Sequence, residues 1–126
     1  TVINNSMCTN PAAVVASSSS LNQRQHLLIG GINKEMDFAP LKAYLDGSKH
    51  VAYLFGSDAA EINRQLGGKW SVYSTMAEAF ASAVSVAKSG EAIMLAPGAA
   101  STDQFKDFRD RGDTFIQMAK EWLESC

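Results

Sequence analysis

The stretch Ala92-Ile93-Met94-Leu95-Ala96-Pro97-Gly98-Ala99-Ala100-Ser101-Thr102-Asp103-Gln104-Phe105-Lys106-Asp107-Phe108-Arg109-Asp110-Arg111-Gly112 decides how this chain is read. Its first five residues form an apolar run that reads as a buried strand. Pro97 and Gly98 then turn the chain, Ser101 offers a hydroxyl, and a helical pattern follows. In an open α/β sheet, ligands bind outside the carboxyl ends of the strands. A turn of small residues at such an end lets backbone N–H groups and a hydroxyl face an anion. The N-terminus of the next helix adds partial positive charge.

The same alternation runs through the rest of the chain. Residues 1–4 read as a short strand. Thr9 or Asn10 can cap the next segment and Pro11 suits a first helical turn. Residues 12–21 then read as a helix in preference to a Ser-rich linker, because Ala and Val precede serines 17–20 and Leu21 follows. Residues 26–29 form a second strand, ended by Gly30 and Gly31. Asp37 is an N-cap candidate with Pro40 in the first turn, and Phe38, Leu41, Tyr44 and Leu45 share one helical face. Residues 51–55 are a third strand. Asp58 and Glu61 resemble a capping box, and Gly67-Gly68 ends that helix. Residues 70–73 alternate as a shorter fourth strand. Thr75 and Glu78 open a further helix with Met76, Phe80, Ala83, Val84 and Ala87 on one face, closed by Gly90. After the fifth strand two helical segments are expected, 102–109 and 113–124, with Gly112 ending the first and Asp113 capping the second. Phe115, Met118, Ala119 and Trp122 form the apolar stripe of the second. This pattern predicts an α/β fold: a mostly parallel sheet with helices on both faces, in one domain over residues 1–126.

The composition agrees. A chain of 126 residues, 46% hydrophobic and 19% charged, can bury one core. A net charge of −2 gives no reason to expect a nucleic-acid or anionic-membrane partner. No apolar run reaches the length of a membrane span and no signal peptide is visible. Two cysteines, Cys8 and Cys126, make no disulfide framework, and a cytoplasmic location is expected. The chain begins at Thr1, inside what reads as a strand, which is the expectation for a piece of a longer protein.

Several motifs invite chemistry. Gly30-Gly31-Ile32-Asn33-Lys34 follows a strand but fits neither the Walker A spacing nor G-x-G-x-x-G. Lys34 is either a cation held at the strand's carboxyl edge for a carboxylate or phosphate, or a solvated loop lysine. Ser101 lies in no G-x-S-x-G elbow. His26 and His50 stand at strand starts, the wrong end to serve it as a base. An anion-binding hydroxyl or a helix cap is the better reading. Arg111-Gly112-Asp113 matches an adhesion tripeptide only in letters. Cys8 has no Cys or His at ligand spacing, so no metal site is expected.

Three blocks carry a family resemblance. Ile3-Asn4-Asn5-Ser6-Met7-Cys8-Thr9-Asn10 aligns with I-N-D-S-K-A-T-N. Leu27-Leu28-Ile29-Gly30-Gly31-Ile32-Asn33-Lys34-Glu35-Met36-Asp37-Phe38 aligns with L-L-x-G-G-x-x-K-x-x-D-F. The stretch from Leu95 through Ser101, Gln104, Phe105 and Phe108 to Arg111-Gly112 aligns with L-S-P-x-x-A-S-x-D-Q-F-x-x-F-x-x-R-G. With their spacing these blocks cover essentially the whole chain. It resembles the C-terminal domain of the Mur ligases, in the branch that adds D-glutamate to UDP-N-acetylmuramoyl-L-alanine. The D-N-P-R signature of the diaminopimelate-adding relatives is absent.

The resemblance implies a Rossmann-like domain of a three-domain, ATP-dependent ligase of peptidoglycan synthesis, and through it cell wall biogenesis, cell shape, cell division and the cell cycle. It implies a UDP-sugar in the N-terminal domain, and ATP and Mg²⁺ bound mainly by a central domain. It also implies an acyl-phosphate intermediate, and a C-terminal domain that brings in D-glutamate and closes over the ATP site. Further strand sequence normally precedes the point where this chain starts, and a monomer that is inactive in isolation is expected. Carried over by position, Thr9 and Lys34 contact the α-carboxylate of D-glutamate. Ser101 and the backbone near Phe108 hold its side-chain carboxylate. Asn5 stands where the family has an aspartate near the ATP ribose, and Met7 where a lysine reaches toward the nucleotide. These two departures support the alternative of a non-catalytic Rossmann-like module for a small anion or nucleotide.

Overall fold

The computed structural model describes residues 2–31, 36–98 and 105–124. The order is β1 (Val2–Asn4), α1 (Pro11–Ser19), β2 (Gln25–Gly30), α2 (Ala39–Asp46), β3 (Val51–Phe55), α3 (Ala59–Gln65), β4 (Ser71–Tyr73), α4 (Met76–Val86), β5 (Ala92–Leu95) and α5 (Phe108–Glu124). The five strands form one sheet in the order β1-β5-β2-β3-β4, and every pairing is parallel. The α/β expectation therefore holds, with the last strand inserted between the first two.

Alternation along the buried strands builds a core on each face. Leu27 and Ile29 of β2 join Val14 of α1, Leu41 and Leu45 of α2, and Ile62 of α3. Leu28, between them in sequence, points the other way, to Phe80 and Ala83 of α4 and Phe115 and Ala119 of α5. All six residues of β2 are buried, as a strand covered on both faces requires.

Local chemistry explains most element ends. Asn10 accepts a hydrogen bond from the Ala13 N–H at 2.9 Å and caps α1, with Pro11 in its first turn. The helix runs through Ser19, so the serines are not a linker: Ser18 is fully buried and its hydroxyl donates to Gln25 Oε1 at 2.5 Å. Thr75 accepts from the Glu78 N–H at 3.2 Å and caps α4 as expected.

Four expectations need correction. Asp37 is not the N-cap of α2. Phe38 holds that position, and Asp37 Oδ1 accepts instead from the Ala39 N–H at 2.9 Å. Asp58 caps α3 by position without a side-chain cap bond, and Glu61 turns to Arg64, whose Nε donates to it at 2.7 Å. The helix α4 ends at Val86, and Gly90 lies in the turn beyond it. The largest correction is at the C-terminus. Residues 105–107 are not helical, and one helix of 17 residues replaces the expected break at Gly112. The rest of the expected 102–109 segment, residues 102–104, lies outside the described residues. Gly112 is in the helix because the strand beside it is close: a Cβ there would lie 2.8 Å from Asn4 Nδ2.

Candidate functional site

The sheet order creates the site. The chain leaves β1 and β2 toward the face of α1–α3, and leaves β5, which lies between them, toward the face of α5. Neighbouring strands whose connections part to opposite faces leave a crevice at their carboxyl ends. The loops holding Thr9, Lys34 and Ser101 all start from this trio of strands.

Backbone hydrogen bonds tie the described flanks of these loops together. Asn5 N donates to Leu95 O at 2.8 Å, Gly98 N to Cys8 O at 2.8 Å, and Gly30 N to Pro97 O at 2.9 Å. Gly98 takes φ 69°, a left-handed turn that favours glycine, and a Cβ there would come 3.2 Å from Val14 Cγ2. The turn after β5 is thereby pinned beside Thr9, which is half-buried one residue beyond the Cys8 carbonyl. Lys34 and Ser101 themselves lie outside the described residues.

A cavity of about 290 Å³ opens on the other side of β1. Asn5, Ser6 and Met7 line one wall, and Phe108, Arg109 and Asp113 of α5 line the other. Three of the residues singled out from sequence, Asn5, Met7 and Phe108, therefore meet, while Thr9 does not line this space. Met7 is 69% exposed and Phe108 37% exposed.

Arg111 sits beneath the cavity and is fully buried. Its Nε donates to Ser6 Oγ at 3.0 Å, its Nη2 to Ser6 O at 2.8 Å, and its Nη1 to Gly30 O at 3.4 Å. Ser6 Oγ in turn donates to Phe108 O at 2.6 Å. One guanidinium thus braces the loop after β1, the end of β2 and the start of α5. Sequence reasoning missed this role. Nothing local in Arg111-Gly112 marks it, because the partners Ser6 and Gly30 are remote in sequence.

The described titratable network lies at the opposite end of the sheet. His26, fully buried, bonds Tyr53 Oη at 2.7 Å through Nδ1 and Glu91 Oε1 at 2.7 Å through Nε2. That bond, the Lys88 N–H and Arg24 hold the Glu91 carboxyl down at about 2. Burial pushes the Tyr53 hydroxyl up to about 12. This cluster fastens β2, β3 and the turn before β5, consistent with the placing of His26 at a strand start. Among the described residues no group of three or more His, Cys, Asp or Glu could hold a metal ion. Among them too, no helix is long and apolar enough to cross a membrane.

No family model matches the chain. Curated relatives do. A protein named UDP-N-acetylmuramoylalanine--D-glutamate ligase from Salmonella choleraesuis is 38% identical over 121 residues, and its namesake from Escherichia coli K12 is 36% identical. In both, the match covers 94% of this chain and 28% of the relative. The chain thus spans little more than a quarter of the length of these relatives. Among solved structures, E. coli FolC in complex with ADP, without folate substrate, superposes with a TM-score of 0.61 at 17% identity. That match covers 92% of this chain and 28% of the FolC chain, and it supports the fold.

Proposed function

We propose that this chain, a homologue of the D-glutamate-adding Mur ligases, is the C-terminal domain that positions D-glutamate for amide-bond formation with UDP-N-acetylmuramoyl-L-alanine. The observation that supports this most is that the carboxyl ends of β1, β5 and β2, from which the three loops start, lie side by side. They are cross-tied by the Gly98-to-Cys8 and Gly30-to-Pro97 hydrogen bonds. D-glutamate has two carboxylates and one ammonium, and holding it needs two separated anion sites and an open path for the amine. In this reading Lys34 and Thr9 take the α-carboxylate. Ser101 and the backbone near Phe108 take the side-chain carboxylate.

The chemistry divides between this domain and the rest of the protein. The carboxylate of UDP-N-acetylmuramoyl-L-alanine attacks the γ-phosphorus of ATP, and ADP leaves. The deprotonated amine of D-glutamate then attacks the acyl carbon, the C–N bond forms, and the acyl C–O bond breaks to release phosphate. The contribution of this domain is orientation: an amine held in line with the acyl carbon reacts as an intramolecular partner would. ATP and Mg²⁺ fall mainly to a central domain in this reading. The Asn5 amide can still hydrogen-bond a ribose hydroxyl, and the cavity's described acid, Asp113, is too little to hold a metal by itself.

The test is kinetic, in the full-length ligase that carries this chain. Lys34→Ala and Ser101→Ala should each raise the KM for D-glutamate on the order of tenfold or more, the loss expected for one charge-assisted hydrogen bond. An unchanged KM for D-glutamate in Lys34→Ala removes the assigned role. The 126-residue chain alone should form no ADP from ATP, UDP-N-acetylmuramoyl-L-alanine and D-glutamate. A full-length protein that binds D-glutamate but never forms ADP would instead favour the non-catalytic module to which Asn5 and Met7 lend support.

A further inference from the structure

We infer that Arg109 is the positioning cation of the cavity between the loop after β1 and α5, directed at a phosphoryl oxygen, because positions 7 and 109 face the same space from opposite walls. The inference rests on the proposed ligase role. Met7 brings a thioether to this wall and no charge, and Asn5 beside it is neutral. Across the cavity Arg109 is exposed, and among the described residues it enters no ion pair. Its Cζ lies 5.7 Å from the centroid of the Phe108 ring, a packing that steers the guanidinium while leaving its N–H donors free for a ligand.

The charge balance of the cavity gives the direction. Asp113, one helical turn after Arg109, also lines it. Asp107 and Asp110 flank Arg109, and their carboxylates accept from the Asp110 and Lys106 N–H groups at 2.9 and 3.0 Å, so of the residues that line the cavity it is the Arg109 guanidinium that draws phosphoryl oxygens. A planar guanidinium presents two parallel donors to two phosphoryl oxygens, a contact that a thioether at position 7 cannot make. The cation can therefore be supplied from the helix wall where the loop wall lacks one. Two phosphoryl groups fit this chemistry: that of the nucleotide and that of the activated carboxylate.

The experiment uses the full-length ligase and steady-state rates with ATP and D-glutamate varied in turn. Arg109→Gln should lower kcat/KM for ATP on the order of tenfold to a hundredfold, with the KM for D-glutamate unchanged. Adding Met7→Lys to that variant should restore most of the loss from the opposite wall. A rise in the KM for ATP at constant kcat assigns the nucleotide phosphate. A fall in kcat at saturating ATP assigns the activated carboxylate. The melting temperature of Arg109→Gln should equal that of the parent, since the side chain is exposed. Unchanged kcat and KM for ATP would overturn the inference, and so would a loss that Met7→Lys leaves unrepaired. The two readings separate cleanly. Failure of Lys34→Ala to move the KM for D-glutamate sinks the amino-acid role and leaves the Arg109 result standing, and the reverse holds as well.

Discussion

Replacing Arg111 by alanine tests the brace beneath the cavity. The side chain donates two short hydrogen bonds to Ser6, at 3.0 and 2.8 Å, and a long one to Gly30 O at 3.4 Å. Hydrogen bonds from a charged donor contribute about 1.5–3 kcal/mol each, so the two short ones bracket a loss of about 3–6 kcal/mol. Two effects pull toward the lower end. Ser6 Oγ keeps its bond to Phe108 O at 2.6 Å, and the variant no longer carries the desolvation cost of a buried guanidinium. A loss of about 3 kcal/mol is a large share of the 5–15 kcal/mol by which domains are commonly stable. With a urea m-value of about 1.5 kcal/mol per molar, the unfolding midpoint should fall by about 2 M. Arg111→Lys keeps the charge but cannot reach Ser6 Oγ and Ser6 O with one ammonium in the geometry of the fork. It should fall by about half as much. Tryptophan fluorescence from Trp70 and Trp122 reports the transition. An alanine variant within about 0.3 M of the parent, or a lysine variant as unstable as alanine, would refute the reasoning, taking a shift that small as noise on the m-value above.

Gly112→Ala sets two effects against each other. Helix propensity favours alanine by about 1 kcal/mol, but the new methyl would lie 2.8 Å from Asn4 Nδ2 and 3.2 Å from Ser6 Cβ. Overpacking of that kind costs about 1–3 kcal/mol, so the variant should melt lower than the parent, and a higher melting temperature would show that Asn4 moves aside freely. Acid should destabilise the fold in two stages. Burial lowers the His50 pKa from its ordinary 6.5, so its share of stability is present above about 6.5 and is lost as pH falls. Glu91 and Glu61 are held down at about 2, and their shares are lost as pH drops from about 4.5 toward 2. Glu91→Gln should flatten the lower stage while leaving the upper one in place, read as melting temperature against pH. A lower stage of undiminished slope would count against the His26–Glu91 contact.

Much of this was legible in the chain. Strand runs such as 51–55 announce themselves because a strand covered on both faces needs continuous apolar residues, and β3 matches that run residue for residue. Thr75 and Asn10 act locally, within three residues, so sequence suffices to place those caps. The failure at Gly112 has a different origin. Whether a glycine ends a helix or admits a neighbour depends on what lies beside it, and here that neighbour is Asn4, at the other end of the chain. Arg111 is the same case, since its partners Ser6 and Gly30 are remote in sequence. At Asp58 the expected capping box does not form, and Glu61 pairs with Arg64 instead of reaching back. At the site, sequence singled out Asn5, Met7 and Phe108 one by one. That they share a cavity with Arg109 depended on β1 lying against α5.

The place of β5 between β1 and β2 has a kinetic consequence. Residues 25–73 hold β2, β3 and β4, which pair in sequence order and can zip as each emerges. β1 has no such option, because its only strand partner among the described residues is β5, some ninety positions later. Of the described strands, only the fifth can bridge β1 to the rest of the sheet. Contacts of such long range carry a high loop-closure cost and form late. The crevice at the carboxyl ends of β1, β5 and β2 therefore forms late, and this edge cannot form ahead of the sheet that supports it.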